Sequence, residues 1–241
     1  MRFARTLIPA ALGLLALLLL AGPISGPSFV SSAPGLEFDP DNFVGEVDNP
    51  FFPLEPKTTY FYEGHEDGIP ASTITEVTKD TKQILGVTTT VVHDLAYVDG
   101  VLVEETFDWY AQDKQGNVWY LGEDSRELDA NGNVIGTAGS WEVGVDGAQA
   151  GIIMLADPKK GDRYRQEFAP GVAEDTAQVI GLDESACVPY GCFDGLLLTK
   201  EFTPLDRGVV DHKYYAEGIG FILSDTVKGG SERLELVDIS N

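Results

Sequence analysis

The 241-residue chain carries 39 acidic against 16 basic side chains, a formal net charge of −23. That charge repels nucleic acid and anionic membrane surfaces, which excludes both as partners. With 43% hydrophobic and 10% aromatic residues the chain can still bury a core, which excludes a disordered acidic tail.

The first element in chain order is an export signal. Arg2 and Arg5 precede an uncharged apolar run over 7–21, and Val30-Ser31-Ser32-Ala33 supplies small residues for cleavage. The run is shorter than the ~20 residues that cross a bilayer. The reading is a signal peptide over 1–32, no membrane span after processing, and a secreted or periplasmic product. Loss of the two arginines takes the net charge from −23 to −25. A Pro- and Asp-rich lead-in follows over 33–50, then one β domain over 51–241.

Runs rich in Val, Thr, Ile and aromatics predict strands over 58–63, 72–78, 88–97, 101–112, 117–123 and 133–141. Further strands are predicted over 163–168, 176–182, 196–202, 209–215, 220–224 and 233–237. Turn pairs such as Asp99-Gly100 and Asn131-Gly132 separate them, and only 173–178 could wind a helical turn or two. The fold class expected is all-β: an antiparallel meander forming a barrel, half-barrel or sandwich. An internal duplication, with repeats over 51–141 and 152–238, is suggested by matches that keep their order. Tyr60-Phe61-Tyr62-Glu63 answers Tyr164-Arg165-Gln166-Glu167, and Trp109-Tyr110-Ala111 answers Tyr214-Tyr215-Ala216. Residues 142–151 would be a mobile connector between halves. Cys187 and Cys192 flank a tight turn, and in an oxidising compartment they should form a disulfide.

One hairpin can be read to the side chain. Along 101–111 the odd positions are drier, and sharing that face with the next strand sets Trp109 opposite Leu121 and Ala111 opposite Trp119. The three-residue loop Lys114-Gln115-Gly116 then closes the hairpin, with Gly116 left-handed. In this register Glu123 opposes Phe107 and lies diagonally from Glu105, ~7–8 Å away on one dry face. Two such carboxylates need a proton, a base or a bound cation. The same alignment sets His212 opposite Asp225.

Glu105 and Glu123 are therefore the first metal candidates, with Asp108, Asp129, Asn131 and Asn133 in reserve. The last three resemble the start of a calcium loop, but the turn glycine and closing glutamate of an EF-hand are absent. Glu104, Asp108, Glu174 and Asp175 are expected on solvated faces. Phe107, Trp109, Trp119, Leu121, His212, Tyr214 and Phe221 would line a cavity if the ligand were apolar. The sequence holds no GxSxG, HExxH, CxxC or glycine-rich phosphate loop, and His65, His93 and His212 are scattered, so binding is favoured over catalysis.

Two stretches resemble motifs of uncharacterised exported bacterial β-rich proteins. They are Asn49-Pro50-Phe51-Phe52-Pro53-Leu54 and the DWYAQD…GNVWY pattern from Asp108 to Tyr120. The resemblance implies no activity. A meander with a Pro-x-Gly turn at Pro189–Gly191 is also similar to periplasmic half-barrel proteins that carry lipids or lipoproteins. The expectation is a secreted acidic binding protein whose ligand is a hard cation such as calcium. The alternatives are a carrier of a small apolar or lipid ligand and a structural protein of the envelope.

Overall fold

A computed structural model describes residues 38–241; the expected signal peptide lies outside the described residues. Twelve strands follow one another along a single antiparallel path. In chain order they are β1 (Thr59–Glu66), β2 (Ile69–Ile84), β3 (Val87–Val98), β4 (Val101–Gln112), β5 (Val118–Leu128) and β6 (Gly151–Met154). The second set is β7 (Arg163–Arg165), β8 (Thr176–Val188), β9 (Gly191–Phe202), β10 (Val210–Ala216), β11 (Gly220–Lys228) and β12 (Arg233–Ser240). The spatial order is β6-β5-β4-β3-β2-β1-β12-β11-β10-β9-β8-β7. Two short strands, Val134–Gly136 and Trp141–Glu142, pair with β5 off this path.

The sheet is an all-β antiparallel meander that curves on itself without closing through a strand ladder. Its ends meet at one bridge, where the Gln149 N–H donates to the Phe168 carbonyl at 2.8 Å. Each half of the chain therefore lays down six strands in the same order, and β12 joins the second set to β1. Curvature turns one face of every strand inward. Tyr60 and Tyr62 of β1, Thr73 and Thr75 of β2, Val92 and Asp94 of β3, and Asp108 of β4 share that face through their pairings.

The lead-in covers one end. Phe52 packs on Tyr110 with ring centroids 5.2 Å apart, while Phe38 and Phe43 lie edge-on to Trp119 on the outer side. Gln112 Oε1 accepts the N–H groups of Asp48 and Asn49 at 3.0 and 2.8 Å, and Asn49 Nδ2 donates to the Gly116 carbonyl at 2.8 Å. Asp113 gathers the Asn117 amide and the Trp119 indole N–H, both at 2.9 Å. Both stretches that resemble exported proteins thus meet here, and most of their polar residues tie the lead-in to the β4–β5 turn. Such buried bonds hold because each donor lost to water regains an acceptor.

Three expectations about local structure change. The segment 142–151 is packed rather than loose: Val143 and Ala148 are buried, and the Val143 N–H donates to the Leu121 carbonyl. The strand Gly151–Met154 was missed because its unbroken apolar run has no period-two signal. The stretch 173–178 forms no helix; β8 begins within it at Thr176.

Candidate functional site

Inside the curved sheet lies a cavity with about 60 Å³ open to the centres of water molecules. Phe52, Tyr60, Tyr62, Tyr110 and Phe221 supply rings to its wall, and Thr73, Thr75, Asp94 and Lys213 supply polar groups. The β1–β4 pairings create this wall: Tyr62 lies opposite Thr73, Tyr60 opposite Thr75, Thr75 opposite Asp94, and Val92 opposite Asp108. The hydroxyls of Thr73 and Tyr110 are buried and make no hydrogen bond to any protein group. Orphan buried hydroxyls are uncommon, since leaving one unpaired costs about 1–3 kcal/mol.

Two carboxyl groups stand beside these hydroxyls. Asp94 accepts a hydrogen bond from Thr75 Oγ1, and Asp108 accepts one from the Tyr120 hydroxyl. The same Tyr120 hydroxyl reaches Glu123 Oε2 at 3.1 Å. Asp94 and Asp108 are 3% and 1% exposed, and Asp108 Oδ2 has no hydrogen-bond partner. Burial raises both above the usual carboxylate range, most strongly Asp108, which also faces the charges of Asp94 and Glu123. Burial likewise lifts Glu123 to about 8 and Glu104 to about 7. Glu167, which accepts the Trp141 indole N–H at 3.0 Å, and Asp175 form a second raised carboxyl pair.

Lys213, across the cavity, is already matched. Its ammonium lies 2.8 Å from Glu201 Oε2, while Glu201 Oε1 accepts from Thr199 and Tyr215 at 2.8 and 3.2 Å. Burial alone would lower this lysine, but Glu201, helped by Asp211 and Asp175, outweighs it and the ammonium is held.

The expected Glu105–Glu123 pair does not form. Glu123 lies opposite Asp108, whereas Glu105 lies opposite Arg126, so the two carboxylates project from opposite faces of β4 and β5. Ala111 does oppose Trp119, and the loop 114–116 closes as expected with Gly116 at φ 94°. Between Tyr110–Tyr120 and Asp108–Glu123, however, the register shifts by one residue. Gly122 makes that bulge possible. Its φ is 134°, and a Cβ there would stand 2.3 Å from the Trp141 carbonyl oxygen. One extra residue sends Glu123 inward, and Asp108 replaces Glu105 as its neighbour. Glu105 instead meets His93 Nε2 at 3.1 Å and Arg126 at 3.4 Å on the outer face.

The reserve residues separate as well. Asp108 is in the site. Asp129 accepts the Asn133 side-chain amide at 3.0 Å and the backbone N–H groups of Asn133 and Asn131 at 2.9 and 2.8 Å, which pulls its carboxyl to about 2 and makes the segment a turn that holds itself. Among the described residues no group of three or more His, Cys, Asp or Glu is disposed to hold a metal ion. Glu104, Asp108 and Asp175, expected in solvent, are all buried inside.

Of the apolar cavity set, Phe221 lines the cavity and the others do not. Phe107 stacks on His93 at 4.4 Å and Trp109 lies under the Lys82 ammonium, both on the outer face. Trp119 is held by Asp113 and the lead-in rings, and Leu121 is buried away from the cavity. His212 does pair with Asp225, yet it and Tyr214 alternate with the inward Lys213 and Tyr215. Cys187 and Cys192 form the expected disulfide at the β8–β9 turn. The residues sequence reasoning missed are Asp94, Thr73, Tyr62, Tyr110, Lys213 and Glu201. The signal available for them was the polar even face of β4, Glu104-Thr106-Asp108-Tyr110, which reads as solvent unless the sheet curls around it.

No known protein family matches this chain, and no curated protein does. Among solved structures it is similar to a "putative lipoprotein" from Parabacteroides distasonis ATCC 8503, at 11% identity and a TM-score of 0.39. The alignment covers 83% of this chain and 99% of the other. Likeness at that level bears on neither the site nor the activity.

Proposed function

We propose that this chain is an exported binding protein that holds a small organic ligand in the cavity between Asp94 and Lys213. The observation that carries the reading is a cavity walled by the rings of Tyr60, Tyr62 and Phe221, with Asp94 and Lys213 among its lining residues. Ligand pockets combine apolar walls with a few convergent polar groups that fix orientation. The N-terminal signal pattern and the disulfide accord with export. The cavity volume suits a small molecule.

The test is to purify the exported protein without denaturant and identify small molecules released on unfolding, alongside the cavity-filling variant Val92→Phe. The expected result is one organic molecule per wild-type chain and none from the variant. Equal, empty release from both, with no saturable binding by the wild type, rejects the reading.

A second reading keeps calcium, moved from Glu105 to the opposed carboxyls of Asp108 and Glu123. It expects chelator treatment to lower the melting temperature and metal analysis to find a stoichiometric divalent ion. An unchanged melt and no metal remove it.

A further inference from the structure

We infer that the tip of the β8–β9 hairpin is a strap over the entrance to the cavity, and that the Cys187–Cys192 bond is the catch that keeps it shut; its part in ligand entry rests on the reading of the cavity as a ligand site. β12 pairs with β11 over 233–235 and no further, so residues 236–240 of β12 and 220–222 of β11 part from each other. The Tyr62 hydroxyl crosses this split and donates to the Phe221 carbonyl at 3.1 Å. Tyr62 and Phe221 both line the cavity, with Tyr60 and Gly220 beside them, so the split opens on it.

The tip is seated on the β12 side of the split. In the sheet β9 is separated from β12 by β10 and β11, yet the Tyr190 N–H donates to the Leu236 carbonyl at 3.1 Å. Leu236 is the first residue of β12 beyond its pairing with β11. Val188 is 7% exposed and packs into the same apolar core as Leu236. Burial, then Glu55 and Tyr190, push the Tyr60 phenol up to about 12, which sets the tip beside a ring of the cavity wall.

This tip depends on its bond. Pro189 and Tyr190 make a two-residue loop between the paired Val188 and Gly191, and neither has a positive φ. Two-residue hairpins close best through turns with positive φ, whose twist matches that of the strands, and proline at the first position forbids them. Below the tip the β8–β9 register shifts three times between Val179 and Ala186, which interrupts the ladder and bends the hairpin. Ser185 Oγ donates to Asp194 Oδ1 at 2.7 Å across this neck, but in water, where such a bond is worth little. Cys187 and Cys192, directly opposite each other, therefore hold the two arms of the tip together. Both are exposed, so a thiolate can reach them. A dithiol reductant attacks one sulfur, forms a mixed disulfide and frees the other cysteine; its second thiol then displaces the first cysteine. Two cysteine thiols and the reductant's own disulfide result, with two electrons and two protons passed to the protein.

The experiment compares the processed full chain with the same folded chain reduced by dithiothreitol and blocked with iodoacetamide. The double variant Cys187→Ser, Cys192→Ser makes the same change without an adduct. Amide hydrogen exchange at Tyr190 reads the seat of the tip, and nitration of Tyr60 by tetranitromethane reads the entrance. Loss of the bond should speed Tyr190 exchange at least about tenfold and Tyr60 nitration several-fold, while Leu198 and Thr199 of β9 keep their protection. Val188→Asp, which unseats the tip with the bond intact, should do the same. Unchanged Tyr190 exchange shows that the bond is no catch, and faster exchange with unchanged Tyr60 nitration shows that the tip covers no entrance; either result overturns the proposal. Loss of protection throughout β9 overturns it as well, because the bond then holds the whole hairpin. Neither readout uses a ligand, so the strap can stand where the cavity releases no molecule and fall where it does.

Discussion

β4 and β10 are the fourth strands of their respective meanders, and their inward faces differ in one respect that matters. Tyr110 and Tyr215 are both fully buried, following Asp108 and Lys213 at the corresponding inward position two residues earlier. Around β10 the buried charge is matched: Glu201 takes the Lys213 ammonium and the Tyr215 and Thr199 hydroxyls, although the Tyr164 hydroxyl and Asp175 Oδ1 of the same half have no partner. Around β4 it is not. Asp108 Oδ2 and the Tyr110 hydroxyl have no partner. A satisfied buried network rigidifies a core, whereas an unsatisfied one is tolerated where a ligand completes it. The comparison sets a matched lysine–glutamate pair in the second half against buried acids without a cation in the first.

The largest effect should come from breaking the ion-paired side. Lys213→Met leaves Glu201 buried without its cation and should cost about 3–5 kcal/mol in urea unfolding. Asp108→Asn, its counterpart, keeps an acceptor for Tyr120 and removes an acid repulsion, so it should cost little and gain stability at pH 8. Equal losses in the two variants would erase the distinction between halves.

pH sharpens the same contrast. Glu104 and Glu123 move from 4.5 to about 7 and about 8 on folding. Between those limits the folded protein holds protons that the unfolded chain has released, so stability is full below pH 4.5 and is lost as pH rises through 7 and 8. The loss from pH 5 to pH 8 should be on the order of 6 kcal/mol. Glu123→Gln should flatten that slope, and unfolding at the two pH values measures it.

Reducing the Cys187–Cys192 bond strips the second half of a staple that the β2–β3 turn never had. Because only a short loop is closed, the cost should be about 2 kcal/mol or less by thermal melting with and without reductant. The smallest effects separate the two tyrosines. Tyr215→Phe removes a bond to Glu201 and should cost about 1 kcal/mol, while Tyr110→Phe should be neutral or slightly stabilising.

Much of this fold is legible in the residues. Most strand positions, the loop at Lys114-Gln115-Gly116, the His212–Asp225 pairing and the disulfide follow from local chemistry, because turns and alternation are properties of neighbouring residues. The site was harder to see. Assigning the drier face of β4 to the interior follows the usual rule, but here Ala111 and the neighbouring Trp119 are dry because the lead-in lies over them from outside. The bulge at Gly122 then reversed the face of Glu123, and nothing local announces it, since it depends on the close approach of Trp141.

Sequence alone thus determined that the chain is a β meander, where most of its strands lie and which cysteines join. Only the tertiary structure decided which of each strand's two faces is the inside, and so which acids meet. Alternation with period two marks two faces but names neither, and a single inserted residue exchanges them; curvature of the whole sheet makes the choice.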